Sequence, residues 1–267
     1  MCYDISFMVN MRQLSDYFPD LIFDQQINMD FEAAHIIGHA YGEHPIIYRN
    51  REDMKLHCRL SEWGCIPYYV KEEAAFIRQR ATMLNARSER ILDDTKSYWN
   101  KIRNRRCLIP VTGIYEHRKI DLKGWTKKVP YFIKPEDQEM FFLPGLYSVV
   151  EFPNKETGEM IKRFTHTIIT TSAEDNFVMK NIHNDGDNAH RMPLFLPFEL
   201  SKKWLNEELT DAEYREIINF KMASEELYYH PVFTIRSPKE RPDGKSKNQV
   251  WEWEKLPPLG EANPVIA

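Results

Sequence analysis

RRCLIPVTGIYEH, Arg105–His117, is the segment from which the fold is most easily read. Its part Cys107–His117 is rich in β-branched and aromatic residues, and this composition predicts a buried strand. Glu116 stands near the end of that strand. A carboxylate in this position usually lies at the rim of a sheet, and the alternative is an acid–base group held in a desolvated environment.

Strands are predicted on both sides of this segment, with helices inserted between them and no regular β–α alternation. Six further segments read as extended: Cys2–Val9, Ala34–His39, Pro45–Tyr48, Pro130–Lys134, Met140–Tyr147 and Phe164–Thr171. Met54, Leu56, Cys58 and Leu60 alternate with polar residues, as in a half-buried strand. Helical patterns cover Gln13–Phe18, Lys71–Leu84, Lys96–Arg105, Phe198–Asn206 and Asp211–Met222. This arrangement predicts an α+β fold with an antiparallel, barrel-like sheet as its core.

One domain is predicted over residues 1–232. The remaining segment, 233–267, is rich in Pro, Gly and charged residues, so we expect it to wrap the domain or to be partly disordered. Trp251 and Trp253 indicate that part of this extension docks.

The composition is that of a globular protein, with 267 residues, 42% hydrophobic and 28% charged. No apolar run approaches the roughly 18 residues of a membrane span, and the N-terminus lacks the features of a signal peptide. The four cysteines in this leaderless chain are therefore expected to be reduced thiols. These observations predict a cytoplasmic protein without membrane contact.

Positive charge is concentrated in one part of an acidic chain. The net charge is −4, yet Phe76–Cys107 contains nine basic residues against Glu89, Asp93 and Asp94, a local charge of +6. Such a run is either a solvated helix face or a surface for phosphates. His35 and His39 in HIIGH are four residues apart in a predicted strand, where their side chains do not converge. No metal or cofactor is predicted.

Cys2 directly follows the initiator methionine in MCYDISF. It is either a small residue at the start of a buried strand or a reactive residue that supplies nucleophiles. Removal of Met1 would leave an α-amine and a thiol on one residue. The amine has a pKa of roughly 7.7–8 and the thiol one of about 8.5 when unperturbed, so both are available near neutral pH.

Together with this N-terminus, the motifs WGCIP, NARSE, RRCLIPVTGIYEH, PGLYS, TTSA and IHN…RMPLFLP stand in one order along the chain. In that order they resemble the SOS-response-associated peptidase (SRAP) family, whose members shield and process abasic sites in single-stranded DNA. The resemblance runs to about Val232 and implies a single SRAP-like domain.

Carried over residue by residue, the resemblance implies catalytic roles for Cys2, Asn85, Glu116 and His183. It implies DNA contacts by Arg87, Arg191, Trp63 and Thr171. Two departures affect these assignments. The chain begins MCYD where family members often begin MCGR, and a longer loop places His190 directly before Arg191, which makes His190 a competitor of His183.

The implied enzyme is a peptidase-like and lyase-like protein that crosslinks to DNA. The α-amine would form an imine with the abasic aldehyde, and the thiol would close a thiazolidine. Single-stranded DNA with abasic sites is the expected partner, and the protein is expected to be a monomer. A thiol autopeptidase activity that removes Met1 is a related possibility. The alternatives are an N-terminal-nucleophile cysteine amidohydrolase or peptidase, and a non-catalytic single-stranded DNA-binding module.

Overall fold

The computed structural model describes residues 2–24, 27–154, 157–237 and 239–264. The strands are β1 (Asp4–Phe7), β2 (Ile22–Phe23), β3 (Ala33–Ile37), β4 (Glu43–Arg49), β5 (Leu56–Trp63), β6 (Asn85–Arg87), β7 (Arg106–Val111), β8 (Gly113–Leu122), β9 (Trp125–Pro135), β10 (Phe141–Pro153), β11 (Met160–Ser172), β12 (Arg191–Pro193) and β13 (Leu227–Pro231). The α-helices are α1 (Leu14–Tyr17), α2 (Glu73–Arg80), α3 (Tyr98–Lys101), α4 (Phe177–Ile182), α5 (Phe198–Trp204) and α6 (Asp211–Ile218). Across these ranges no helix has the length and apolar character needed to cross a bilayer.

Five strands close into a barrel in the order β11, β10, β7, β4 and β5. Neighbours in this ring are antiparallel except at the closure, where β5 and β11 run parallel with Thr165 opposite Glu62. A second sheet has the order β13, β9, β8, β1 and β3, and its strands are antiparallel. The predicted α+β, barrel-like fold is therefore confirmed.

The segment Arg105–His117 contributes to both sheets. The predicted single strand is wrong, because the chain breaks at Thr112 into β7 of the barrel and β8 of the second sheet. The Thr112 amide donates to the Ser6 carbonyl at 2.8 Å, and the Thr112 hydroxyl lies 3.0 Å from that of Ser6. The next residue must be Gly113, since a Cβ there would lie 2.1 Å from the Phe132 ring. Glu116 consequently lies within a strand and not at its end.

Strand β7 of the barrel is buried on both faces. All six residues of β7 are buried, and successive side chains enter different apolar clusters. Cys107 and Ile109 pack into one cluster, whereas Leu108 packs with Phe142 and Trp204 in the other. This explains why β7 is apolar from Cys107 to Val111.

The extension after Val232 contacts the second sheet at several points. Val232 forms a bridge with Val250, and the Trp253 indole donates to the Val232 carbonyl at 3.1 Å. The buried Arg118 guanidinium of β8 donates to the carbonyls of Pro257, Pro258 and Glu261. The described part of the extension therefore wraps the second sheet, while the boundary at 232 remains a prediction.

One short helix that the sequence patterns did not reveal positions the candidate site. Asn176 caps α4 by accepting a hydrogen bond from the Met179 amide at 2.9 Å. The helix ends at His183, where the chain leaves the helical conformation. With only six residues, α4 is too short to show a helical period.

Candidate active site

Cys2 and Asn85 are joined by a hydrogen bond across the centre of the molecule. The Asn85 Nδ2 donates to the Cys2 carbonyl at 2.9 Å. Asn85 is the first residue of β6, which runs parallel to β11 with Asn85 opposite Ile168. Cys2 is 0% exposed, and its Sγ lies 3.9 Å from the Asp4 carbonyl. The first strand and β6 therefore place these two residues together.

Glu116 lies on the strand next to Cys2. β1 and β8 are antiparallel with Asp4 opposite Tyr115, so Glu116 lies near the start of β1. Burial raises the pKa of Glu116 to about 7. Burial also raises the pKa of the Cys2 thiol well above its usual value, and the charge of Glu116 adds to this effect. The thiol is therefore protonated in this state, within electrostatic reach of a carboxyl group that titrates near neutrality.

His183 completes the cluster from the end of α4. Its Nε2 lies 4.0 Å from the Glu116 Oε2, and its Nδ1 accepts a hydrogen bond from the Arg191 amide at 3.3 Å. An accepting Nδ1 places the proton of the neutral ring on Nε2, on the side of Glu116. Burial lowers the pKa of His183 to about 3, so the ring is neutral at physiological pH.

His190 occupies a different position from His183. Its Nδ1 lies 2.7 Å from an oxygen of Glu174, away from Glu116. Its amide donates to the His183 carbonyl at 2.7 Å, and its φ of +57° closes the intervening loop. The geometry therefore favours His183 as the site histidine and gives His190 a role in loop closure.

The two arginines predicted to contact DNA differ in exposure. Arg87 is exposed, and its Nη2 donates to Asn188 Oδ1 at 3.0 Å. Arg191 is buried, with its guanidinium bonded to Glu89 at 2.6 Å and to the Thr170 carbonyl at 2.9 Å. Arg87 can reach a phosphate directly, whereas Arg191 would have to exchange Glu89 for it.

Trp63 is a correction to the predicted DNA contacts. It is 0% exposed, its indole donates to the Leu84 carbonyl at 3.0 Å, and its ring stacks on His166. A side chain without exposed surface has no face to offer to a base. Through its hydrogen bond, Trp63 instead fixes the backbone of Leu84, the residue that precedes Asn85. Thr171 is also largely buried, and its hydroxyl accepts a hydrogen bond from the exposed Lys221 at 3.3 Å.

The basic run Phe76–Cys107 does not form one surface. Arg80 is buried and donates to the Gly64 carbonyl and to Glu62. Arg106 is buried between α5 and α6, where it donates to the Trp204 carbonyl and the Tyr214 hydroxyl. These two charges are structural, and exposed residues such as Arg87 and Arg90 carry the rest.

Asp4, His35 and Arg236 form an ionic cluster beside the site that the sequence patterns did not indicate. His35 Nε2 lies 2.8 Å from one Asp4 oxygen, and Arg236 bonds to both oxygens with its Nε and Nη2. The hydrogen bonds from His35 and Arg236 outweigh the effect of burial and hold the pKa of Asp4 below its usual value. Asp4, the acidic residue of MCYD, was the sequence feature that could have indicated this cluster, since a carboxylate in a buried strand requires a partner.

The two histidines of HIIGH have separate contacts. His35 belongs to the Asp4 cluster, and His39 stacks on Tyr3 with ring centroids 4.6 Å apart. Within the described ranges, no group of three or more His, Cys, Asp or Glu side chains is arranged to hold a metal ion.

The family model of the SOS response associated peptidases (SRAP) matches residues 1–235. The chain belongs to this family. The abasic site processing protein YoqW of Bacillus subtilis is 33% identical over 178 residues, which is 66% of this chain and 70% of that protein. The abasic site processing protein YoaM of the same bacterium is 31% identical over 178 residues, 66% of this chain and 69% of its own length.

A solved structure shares the fold of this chain. The crystal structure of a protein from Bacteroides thetaiotaomicron has a TM-score of 0.68 and 27% identity, and the match covers 93% of this chain and 97% of that one. The resemblance inferred from the motifs is therefore confirmed at the level of family and fold.

Proposed function

We propose that this protein binds single-stranded DNA at abasic sites and crosslinks to them through Cys2 after removal of Met1. The observation that carries the proposal is the convergence of Cys2, Asn85, Glu116 and His183 from separate parts of the chain, with the 2.9 Å bond from Asn85 to the Cys2 carbonyl. Membership of the SRAP family and the names of its abasic site processing members support it.

The first step joins the α-amine of Cys2 to the ring-opened sugar. The amine attacks the C1′ aldehyde, and loss of one water gives an imine. Glu116 can supply the proton for the departing hydroxyl, because its pKa of about 7 leaves a large protonated fraction at neutral pH. Asn85 holds the carbonyl of Cys2 and thereby orients its amine.

The second step closes the ring. The Cys2 sulfur attacks the imine carbon, a C–S bond forms, and the thiol proton ends on the former imine nitrogen. Glu116 as a carboxylate can carry that proton, which matters because burial keeps the thiol protonated. Both nucleophiles belong to one residue, so the closure is intramolecular. The product is a thiazolidine with one water released overall.

His183 and the exposed cations have supporting roles in this proposal. The neutral His183 ring can donate its Nε2 proton in a hydrogen bond to the sugar oxygen as the ring opens. Arg87, with Lys221 beside Thr171, can bind phosphates that flank the lesion.

The test is a denaturing gel of Met1-free protein with single-stranded DNA that carries one abasic site. We expect a heat-stable adduct that Cys2→Ala lacks. Cys2→Ser keeps the amine, so its adduct should survive heat only after borohydride reduction of the imine. Cys65→Ala is the control for removal of a buried thiol. A heat-stable adduct of Cys2→Ala would overturn the proposal.

A second candidate activity is autoproteolytic removal of Met1 by the Cys2 thiol. The electrostatic effect of Glu116 on that thiol favours it, because Glu116 can accept the thiol proton as the sulfur attacks the Met1 carbonyl. The Met1–Cys2 C–N bond then breaks, the leaving α-amine takes up the proton, and water hydrolyses the thioester to release methionine and restore the thiol. Intact masses of wild type, Cys2→Ala and Glu116→Gln made in a host with methionine aminopeptidase blocked test this. Retention of Met1 in all three would exclude it.

A further inference from the structure

The C-terminal segment 233–247 brings positive charge to the side of Asp4, two residues from Cys2. It contains five basic residues, Arg236, Lys239, Arg241, Lys245 and Lys247, against Glu240 and Asp243. Its net charge is therefore +3 in a chain whose total is −4. The family match ends at residue 235, so most of this segment lies outside it.

Arg236 is held in place and still open to solvent. Its Nε and Nη2 bond to the two oxygens of Asp4, whose side chain is only 3% exposed, whereas the Arg236 side chain is 46% exposed. A guanidinium has five N–H groups, and this pairing occupies one edge of the fork. The outer edge is therefore preorganised for an oxygen ligand such as a phosphate.

The pair with Asp4 connects this guanidinium to the site itself. Asp4 also receives His35, and its carbonyl lies 3.9 Å from the Cys2 Sγ. The charge of Arg236 opposes the rise in the pKa of Glu116, and the charge of Glu116 helps to raise the pKa of Arg236. Arg236 is thus a fixed cation at the edge of the site, supplied by the end of the chain.

A surface cavity of about 610 Å³ is lined by His35 of β3, which shares Asp4 with Arg236. Lys239, Lys245 and Lys247 line it from the C-terminal segment together with one acidic residue, Glu240. Lys247 donates to the Ile235 carbonyl at 3.0 Å. Arg241 is buried and donates hydrogen bonds to the Gln249 carbonyl and to Asp243. Lys239 and Lys245 are exposed and provide the cations that face an incoming ligand.

We propose that Arg236, Lys239 and Lys245 bind phosphates of the DNA strand next to the lesion, so that the C-terminal segment forms part of the DNA-binding surface. The identity of the ligand as single-stranded DNA rests on the proposed function. The strand would pass the edge of the Cys2 site at Arg236 and continue along the cavity. The segment thereby places the cation Arg236 beside Asp4, the acidic residue of MCYD.

The test measures affinity without covalent chemistry. Fluorescence anisotropy is recorded with single-stranded DNA carrying a tetrahydrofuran abasic analogue, which has no aldehyde, at several salt concentrations. Arg236→Gln should weaken binding about 5- to 10-fold and reduce the slope of log K against log salt by about 0.7. The double variant Lys239→Gln/Lys245→Gln changes exposed side chains that the fold does not need, and it should reduce the slope by about 1.4.

Arg215→Gln is the matched control, because Arg215 is an exposed arginine paired through two bonds with Asp93. Equal affinity and equal slope for the control and both test variants would overturn the inference, even if the wild type crosslinks to abasic DNA. Loss of affinity in both test variants, together with a wild type that forms no adduct, would support this surface and reject the crosslinking function. Thermal unfolding of each variant identifies any loss of affinity that comes from misfolding.

Discussion

Two glutamates of low exposure, Glu62 and Glu116, experience opposite environments: the Glu62 side chain is 15% exposed, and Glu116 is buried. Glu62 lies among Arg163 and Arg80, and their hydrogen bonds outweigh the effect of burial, so its pKa is lowered. Glu116 lies beside Cys2 and His183, and burial dominates there, so its pKa is raised to about 7. The same residue type is thus a permanent charge in one cluster and, in the proposed mechanism, a proton carrier in the other.

The difference shows how a single fold separates structural from chemical use of buried charge. Arg163 bonds to both Glu62 and Glu73, which fastens α2 against β5 and β11 at the barrel closure. Glu116 has the neutral His183 ring 4.0 Å from its Oε2, and the charges of Asp4 and Arg236 act on it less than burial does. A carboxyl group kept close to neutrality can give and take protons, whereas a fully paired one cannot.

Glu62→Gln should have the largest effect, and it should be on stability. Removing Glu62 leaves the buried Arg80 and the partly buried Arg163 with Glu73 as their shared carboxylate, so we expect the free energy of unfolding to fall by about 3 kcal/mol. Urea unfolding at pH 7 measures this. The control Glu151→Gln alters an exposed glutamate and should change it by less than about 0.5 kcal/mol. At urea concentrations below the unfolding transition, the crosslinking rate of Glu62→Gln should equal that of wild type. A large loss of rate would contradict the separation of structural and chemical roles.

Glu116→Gln should instead lower the rate of crosslinking. Loss of a positioned acid–base group predicts a crosslinking rate about 100-fold lower. The pH–rate profile of the wild type should show an ionisation near pH 7 that the variant lacks. Single-turnover gels across pH 5.5–8.5, a range of roughly one and a half units around that value, provide the measurement. An identical profile in both proteins would remove Glu116 from the proton transfers.

Glu116→Gln should also remove a pH dependence from the stability of the protein. The raised pKa means that folded wild type keeps a proton that the unfolded chain releases as the pH rises from about 4.5 to about 7. Wild type therefore loses stability across this window, and the glutamine variant does not. We expect the stability of the variant relative to wild type to increase by about 2 kcal/mol between pH 5 and pH 8. For Glu62, whose pKa is lowered, stability is instead lost as the pH falls below its usual range.

His183→Gln should have the smallest of these effects. A neutral donor that orients the sugar oxygen contributes about 10-fold to the crosslinking rate. His190→Gln is the matched control, because that ring bonds to Glu174 and lies away from Glu116. Single-turnover rates for the two variants decide between the histidines. A loss in His190→Gln alone would reverse the assignment.

Local sequence patterns predicted the class of the fold and most of the longer strands, since alternation and β-branched residues are local signals, but they did not predict β2, β6, β12 or β13. They did not predict the break at Thr112, because it depends on Ser6, more than a hundred residues away. The parallel closure between β5 and β11 has no local signal either. The resemblance to the family placed Cys2, Asn85, Glu116 and His183, which the structure brings together.

The error at Trp63 and the unforeseen contacts of Arg191 and Arg236 have a common physical cause. Trp63 and Arg191 belong to motifs that suggested DNA contacts, but a motif does not show whether its side chain turns inward. Trp63 bonds to Leu84, and Arg191 bonds to Glu89, a residue of the NARSER segment that is distant in sequence. The role of Arg236 depends on a contact between the two ends of the chain. Pairings at such separations are properties of the folded molecule.

The most direct measurement is the intact mass of the adduct between Met1-free protein and single-stranded DNA with one abasic site. We predict the mass of protein plus DNA minus one water, stable without reduction and absent from Cys2→Ala. The same mass should resist borohydride, since a thiazolidine contains no imine. An adduct that gains two hydrogens on reduction, or one that attaches at a lysine, would contradict the thiazolidine.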